Sequence, residues 1–272
     1  MKLRVGYELQ YEFPRPTPLI AMLNIHFSRV ADLAAPDHIV ISPSVPISCY
    51  RDGFGNWCSR ILAPAGHVRL STDAVVTDSG QLDPVVPGAG QIAVEKLPDE
   101  AIVFLLASRF CDSDRLLDLA WTLFKDTTPG WARVQAICDF VHQRIIFGYE
   151  HARVTRTASE AYQEGRGVCR DYAHLAVAFC RALNIPARYC TGYLGDVGTP
   201  PPFSPGDFAA WFEAYLGGQW YTFDARNNVP RIGRVLLARG RDAADVAITT
   251  TFGPNTLSSF RVWTDEILEG PA

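Results

Sequence analysis

The sequence predicts an α+β protein, with a β-rich N-terminal part followed by helices and then by further strands. Three observations carry this reading. From Leu3 to Phe13 the odd positions read Leu, Val, Tyr, Leu, Tyr, Phe and the even ones Arg, Gly, Glu, Gln, Glu, the period of a half-buried strand. Val134, Ile137, Val141 and Ile145 recur instead at helical spacing. The segments on either side of Gly217-Gly218 alternate again, as the arms of a hairpin do.

After the first strand, short segments punctuated by Pro and Gly continue to about residue 110: a strand over His38 to Ser42, a hairpin about Asp52 to Asn56, and a strand over Val68 to Thr77. Residues 1–110 form the first predicted domain and residues 111–272 the second. In the latter, Ser113 precedes DRLLDLAWTLF, with acids in the first turn, and Thr128-Pro129 opens a second helix reaching Ile145. A third helix runs from Ala158 to Glu164 before Gly165. A fourth runs from Val168 to about Leu183, where Asn184 and Pro186 supply the stop. Strands are predicted over Arg188 to Leu194, Asp207 to Leu216 and Gln219 to Asp224. Gly195 to Gly206 is a Pro/Gly-rich loop too short to link domains.

Of 272 residues, 48% are hydrophobic and 20% charged, a globular composition. The balance of 29 acids to 25 Lys and Arg leaves a net charge of -4 and no overall positive field, which argues against nucleic acid or an anionic membrane as the main partner. The densest apolar run, Ala101 to Ala107, falls far short of the roughly 18 residues of a spanning helix. The opening MKLRVGYELQYEF has no apolar core and carries Lys2, Arg4, Glu8 and Glu12, so a cytoplasmic location is expected. The 7 cysteines are odd in number and include no C-x-x-C pair, the pattern of neither a disulfide framework nor a zinc site. No metal or organic cofactor is expected.

The run Gly165-Arg166-Gly167-Val168-Cys169-Arg170-Asp171 sets a cysteine just inside a helix start, behind glycines that allow close backbone approach. Free N–H groups and the helix dipole favour a thiolate there, whereas cysteine in general is most often a buried structural residue. Asp171 stabilises the helix start and raises the pKa of a neighbouring thiol. Cys180 and Cys190 read as structural. In the hairpin, a two-residue Gly-Gly turn pairs Leu216 with Gln219. One face then holds Phe208, Ala210, Phe212, Ala214, Leu216, Tyr221, Phe223 and Ala225, a core face. The other holds Ala209, Trp211, Glu213, Tyr215, Trp220, Thr222, Asp224 and Arg226. On it Asp224 lies opposite Trp211 and diagonal to Ala209, about 7 to 8 Å away.

The run GVCRDYAHLAVAFCRALNIPARYCTGYL with FAAWFEAYLGGQWYTFDARNN resembles the core of bacterial transglutaminase-like proteins, a group also described as cysteine proteases, with a papain-like fold. The N-terminal strands resemble the β domain that precedes that core, so the likeness covers nearly the whole chain. It implies a Cys, His, Asp triad with Cys169 as nucleophile and Asp224 as the orienting acid. The histidine position, two residues before the strand Trp, falls on Ala209. Alanine carries no proton, so general acid and base help of about 10² to 10⁴-fold is forfeited.

His174 lies about 140° round the helix from Cys169 and should point elsewhere. His142 and His151 are candidate replacement bases, ahead of His26, His38 and His67 in the β domain. Asp224 also reads as a cross-strand ion pair with Arg226. Arg226, Arg231, Arg234 and Arg239 read either as a rim for an anionic substrate or as a solvated face. Two functional readings stay open. One is a thiol-dependent amide hydrolase or acyl transferase, acting on peptide or glutamine-type carbonyls through a Cys169 thioester. The other is a catalytically silent or greatly weakened domain whose groove binds a peptide or protein partner.

Overall fold

The computed structural model describes residues 1–201, 203 and 205–268. Pro202 and Ser204 of the predicted loop, and the last four residues of the predicted second domain, lie outside the described residues. The chain begins with β1 (Lys2–Phe13), β2 (Thr17–Ala21), β3 (Val40–Ser42), β4 (Ile47–Arg51), β5 (Trp57–Ala63) and β6 (Gly66–Thr77). Helices follow: α1 (Asp99–Ile102), α2 (Leu117–Phe124) and α3 (Trp131–Arg144). Next come β7 (Ile146–Phe147), α4 (Ala158–Glu164), β8 (Arg166–Gly167) and α5 (Cys169–Ala182). The chain closes with β9 (Ala187–Tyr193), β10 (Phe208–Leu216), β11 (Gln219–Phe223), β12 (Val235–Gly240), β13 (Thr249–Thr251) and β14 (Thr256–Ile267).

The period-two reading of β1 holds at every predicted position: Leu3, Val5, Tyr7, Leu9, Tyr11 and Phe13 are all buried. They form a core between two four-stranded sheets, ordered β14-β1-β6-β3 and β13-β2-β5-β4. Gly6 stands where a Cβ would come within 2.4 Å of the Trp263 ring, so the glycine is what lets β14 close onto β1. β13 and β14 come from the C-terminal end of the chain. A division of the sequence after residue 110 therefore assigns one edge strand of each sheet to the other segment.

The second core gathers around α5, whose residues from Asp171 to Ala182 are all buried. A helix enclosed on every side must be small or apolar all round, and YAHLAVAFCRA nearly is. α2, α3 and α4 pack on one side of it, and the sheet β11-β10-β9-β12 on the other. The predicted hairpin register is observed, from Leu216↔Gln219 to Phe212↔Phe223. It stops there: Asp224 leaves the strand instead of facing Trp211, because its carboxylate is drawn into the following turn. No helix among the described residues is long and apolar enough to cross a membrane.

Candidate functional site

The start of α5 is fixed by three contacts. Gly165, in the left-handed region at φ 64°, ends α4. β8 then pairs in parallel with β7. The Asp171 carboxylate accepts the Val168 N–H at 2.9 Å and Arg156 Nη1 at 2.9 Å, in a pair that is almost fully buried. Gly167 makes room for this, since a Cβ there would sit 2.5 Å from Asp171 Oδ2. The closeness predicted for this glycine is thus an approach to the chain's own helix cap.

This arrangement delivers Cys169, partly exposed, to the part of β10 that outruns β11. Its sulfur lies against the backbone N–H of Ala210. The adjoining Ala209 and the thiol residue line one cavity of about 640 Å³, together with Phe147, Tyr149, Asp207, Arg226 and Asn227. Burial pushes the thiol up to about 11, and the negative charge of Asp207 adds to this while Arg226 opposes it. Desolvation and the facing carboxylate thus act against the thiolate that a helix start favours.

Asp224 is engaged on every side. Oδ1 accepts the N–H groups of Arg226 at 3.0 Å and Asn227 at 2.9 Å, and Oδ2 accepts Asn227 Nδ2 at 2.7 Å and Arg234 Nη2 at 2.8 Å. Burial alone would raise its pKa; the Arg234 charge and the Asn227 donors outweigh that and hold it below the ordinary carboxylate range. Its ionic partner is thus Arg234, and Arg226 reaches it only through the backbone. Four donors fill about all the acceptor directions a carboxylate has. The arginines expected as a rim or a solvated face divide in the same way. Arg231 and Arg234 are buried, because Asp83 and Asp224 neutralise the second, while Asn227, the Gly195 carbonyl and Asp196 engage the first.

No histidine takes the position beside the thiol. His174 is fully buried between Phe110 and Tyr189, and its Nε2 accepts the Ala243 N–H at 3.1 Å, which agrees with the helical geometry read from sequence. His142 Nδ1 donates to the Arg226 carbonyl at 2.9 Å, and His151 sits beside Glu150; neither lines the cavity. Cys58, Cys111, Cys138, Cys180 and Cys190 are buried and Cys49 is exposed. Among the described residues no three His, Cys, Asp or Glu side chains gather as metal ligands would.

Sequence reasoning missed Asp207 and Tyr149. Asp207 was within reach of it, since it stands two residues before Ala209 and so shares that face of the strand. Burial raises its carboxyl, and the Phe208 N–H, Arg226 and the Tyr149 hydroxyl act against that rise. Tyr149 opens a single 3-10 turn, Tyr149–His151, whose sequence carries no comparable signal.

The model of the transglutaminase-like superfamily matches residues 119–225 of the chain. A solved structure described as a “Putative Cysteine Protease” from Cytophaga hutchinsonii is similar over 100% of this chain and 92% of its own, at 30% identity and a TM-score of 0.85. An uncharacterized protein of Mycobacterium leprae is 37% identical over 94 residues, 32% of this chain and 32% of that protein, so this chain matches about a third of its length. An uncharacterized protein of Mycobacterium tuberculosis is 25% identical over 224 residues, 73% of this chain and 69% of that one.

Proposed function

Because the chain belongs to the transglutaminase-like superfamily, we propose that it keeps the superfamily's cleft as a binding site for a peptide or protein segment, with the thiol chemistry silent or greatly weakened. One observation carries the reading: Ala209 occupies the wall beside Cys169, in a cavity that holds the thiol up at about 11. Amide cleavage or acyl transfer needs a thiolate to attack the carbonyl carbon and an acid to protonate the departing amine. An imidazole does both. Asp207, the carboxyl that shares the thiol's cavity and acts most strongly on it, does neither well: as a carboxylate it is too weak a base for so weakly acidic a thiol, and its charge opposes thiolate formation.

The similarity to a protein described as a cysteine protease supports the same cleft geometry. The Cys169 N–H remains the natural donor to a bound carbonyl oxygen, since it lies at a helix start where no intrahelical acceptor exists. A carbonyl can therefore be held against the thiol without being turned over.

The test compares the wild type with Ala209→His on peptide anilides, each with and without Cys169→Ala. The expected result is negligible cleavage by the wild type and a Cys169-dependent gain in the variant. Cleavage by the wild type at a rate equal to the variant's, abolished by Cys169→Ala, would overturn the reading. A cytoplasmic setting is part of this proposal, and it is consistent with five buried reduced cysteines.

A further inference from the structure

Asp207 and Arg226 line the same cavity as Cys169, and the charge of each acts on both the other and the thiol. Yet they form no ion pair. Among the described residues the Arg226 side chain makes no hydrogen bond or salt bridge within the chain; its guanidinium carbon lies over the Phe147 ring, 4.1 Å from the centroid. Each group is held where it is. The Arg226 backbone is pinned on two sides, its N–H by Asp224 and its carbonyl by His142. The Phe208 N–H and the Tyr149 hydroxyl both favour the charged form of the Asp207 carboxyl. By contrast, the cavity's other arginine, Arg231, is committed to Asn227 and the Gly195 carbonyl, and Asp265 and Glu266 stand exposed at the mouth.

Two opposite charges that share a cavity with no ion pair between them match a ligand that carries both charges itself. We propose that the cleft recognises a small zwitterion with a free ammonium and a free carboxylate, either an α-amino acid or a short peptide with both ends free. Asp207 takes the ammonium and Arg226 the carboxylate, for which a guanidinium offers a bidentate fork. The ligand's body then lies over Ala209, in the space an imidazole would fill. The inference rests on the binding reading above and names the ligand class of that same cleft.

Isothermal titration of the intact chain tests it. The probes are the common L-amino acids taken singly, Ala-Ala and Ala-Ala-Ala with free ends, and the same molecules N-acetylated or C-amidated. Free-ended ligands should bind, and capping either end should weaken binding roughly tenfold or more, as loss of a charged hydrogen bond does. The single amino acids and the peptides separate the two sources of the same chemistry. Asp207→Asn should make N-acetylation harmless, and Arg226→Gln should make C-amidation harmless, a pairing that general damage to the cleft would not reproduce. Capped ligands binding as well as free ones would overturn the zwitterion inference and leave the binding cleft standing. Binding by neither would sink both.

Discussion

Arg234 Nη2 meets Asp224 Oδ2 at 2.8 Å, in a pair of which neither side chain is more than 7% exposed. This contact makes Asp224, which the sequence resemblance reads as an orienting acid, part of a buried ionic network that also includes Asp83, 2.8 Å from Arg234 Nε. Asp83 belongs to the segment joining the β-rich part to the helices, so the network ties that segment to the turn after β11.

A network of this kind makes Asp224 a stability residue. Asp224→Asn should destabilise the fold by about 3 kcal/mol, the lower end for a broken buried pair, because Arg234 keeps Asp83. The pH dependence has a definite sign. The folded-state pKa of Asp224 is depressed, so its contribution is complete above the ordinary carboxylate pKa and is lost as pH falls through the lower folded value. Urea unfolding of wild type and variant at neutral pH and at successively lower pH should give curves that converge only in acid. A difference in stability that stays constant down to the lowest pH at which both fold would refute the assignment.

The thiol gives a second expectation. With its pKa at about 11, Cys169 should alkylate slowly at neutral pH, and its rate should climb about tenfold per pH unit until it bends near that value. Asp207→Asn removes the facing negative charge and should move the bend to lower pH. Arg226→Gln should move it higher. Iodoacetamide labelling followed by site-resolved mass spectrometry reads all three, and a bend below the free-thiol range in the wild type would contradict the site's electrostatics.

Much of this arrangement was legible before any coordinates. The hairpin register followed from Gly217-Gly218 and strict alternation, and the start of α5 from Gly165, Gly167 and Cys169, because local turn and helix rules decide them. The vacancy at Ala209 was visible by position alone. What sequence could not supply were contacts set by distant segments. Asp83 lies more than a hundred residues before Arg234, and Tyr149 comes to the cavity beside Asp207 from the turn after β7. β14 escaped notice because, as an edge strand over a two-sheet core, it buries only Val262 fully and so shows little alternation. The direction of the thiol's titration stayed open for a related reason: a helix dipole and a nearby Asp171 are readable from sequence, while desolvation depends on what closes over the residue.

Gly167 offers a direct test of how the site is held. A Cβ at that position would lie 2.5 Å from Asp171 Oδ2 and 2.7 Å from its Cβ, so Gly167→Ala must displace either the Asp171 cap or the end of β8 at Gly167 itself. The expected cost is about 1 to 3 kcal/mol, typical of overpacking a closed site. The effect should not stop at stability: with Asp171 shifted, the first turn of α5 loosens and Cys169 becomes more accessible to iodoacetamide. A variant with wild-type unfolding and wild-type labelling would show that the Arg156–Asp171 pair does not position the thiol.

Restoring an imidazole should be less simple than filling position 209. In Ala209→His the new ring gains a place beside Cys169, but Asp224 has no free acceptor direction with which to orient it. Asn227 is the removable competitor, since its Nδ2 occupies Oδ2 and its side chain lines the cavity. Arg234 is not, because it would be left buried with one partner fewer. The single variant should therefore show only part of the roughly 10² to 10⁴-fold that a positioned acid and base contributes. Adding Asn227→Ala frees one lone pair of Asp224 and should raise kcat further without a matching change in KM, since orientation of the ring acts on proton transfer and not on ligand binding. Peptide anilide kinetics of the single and double variants decide between these outcomes. Equal kcat values would mean that Asp224 does not reach the restored imidazole, and that its place in this chain is structural alone.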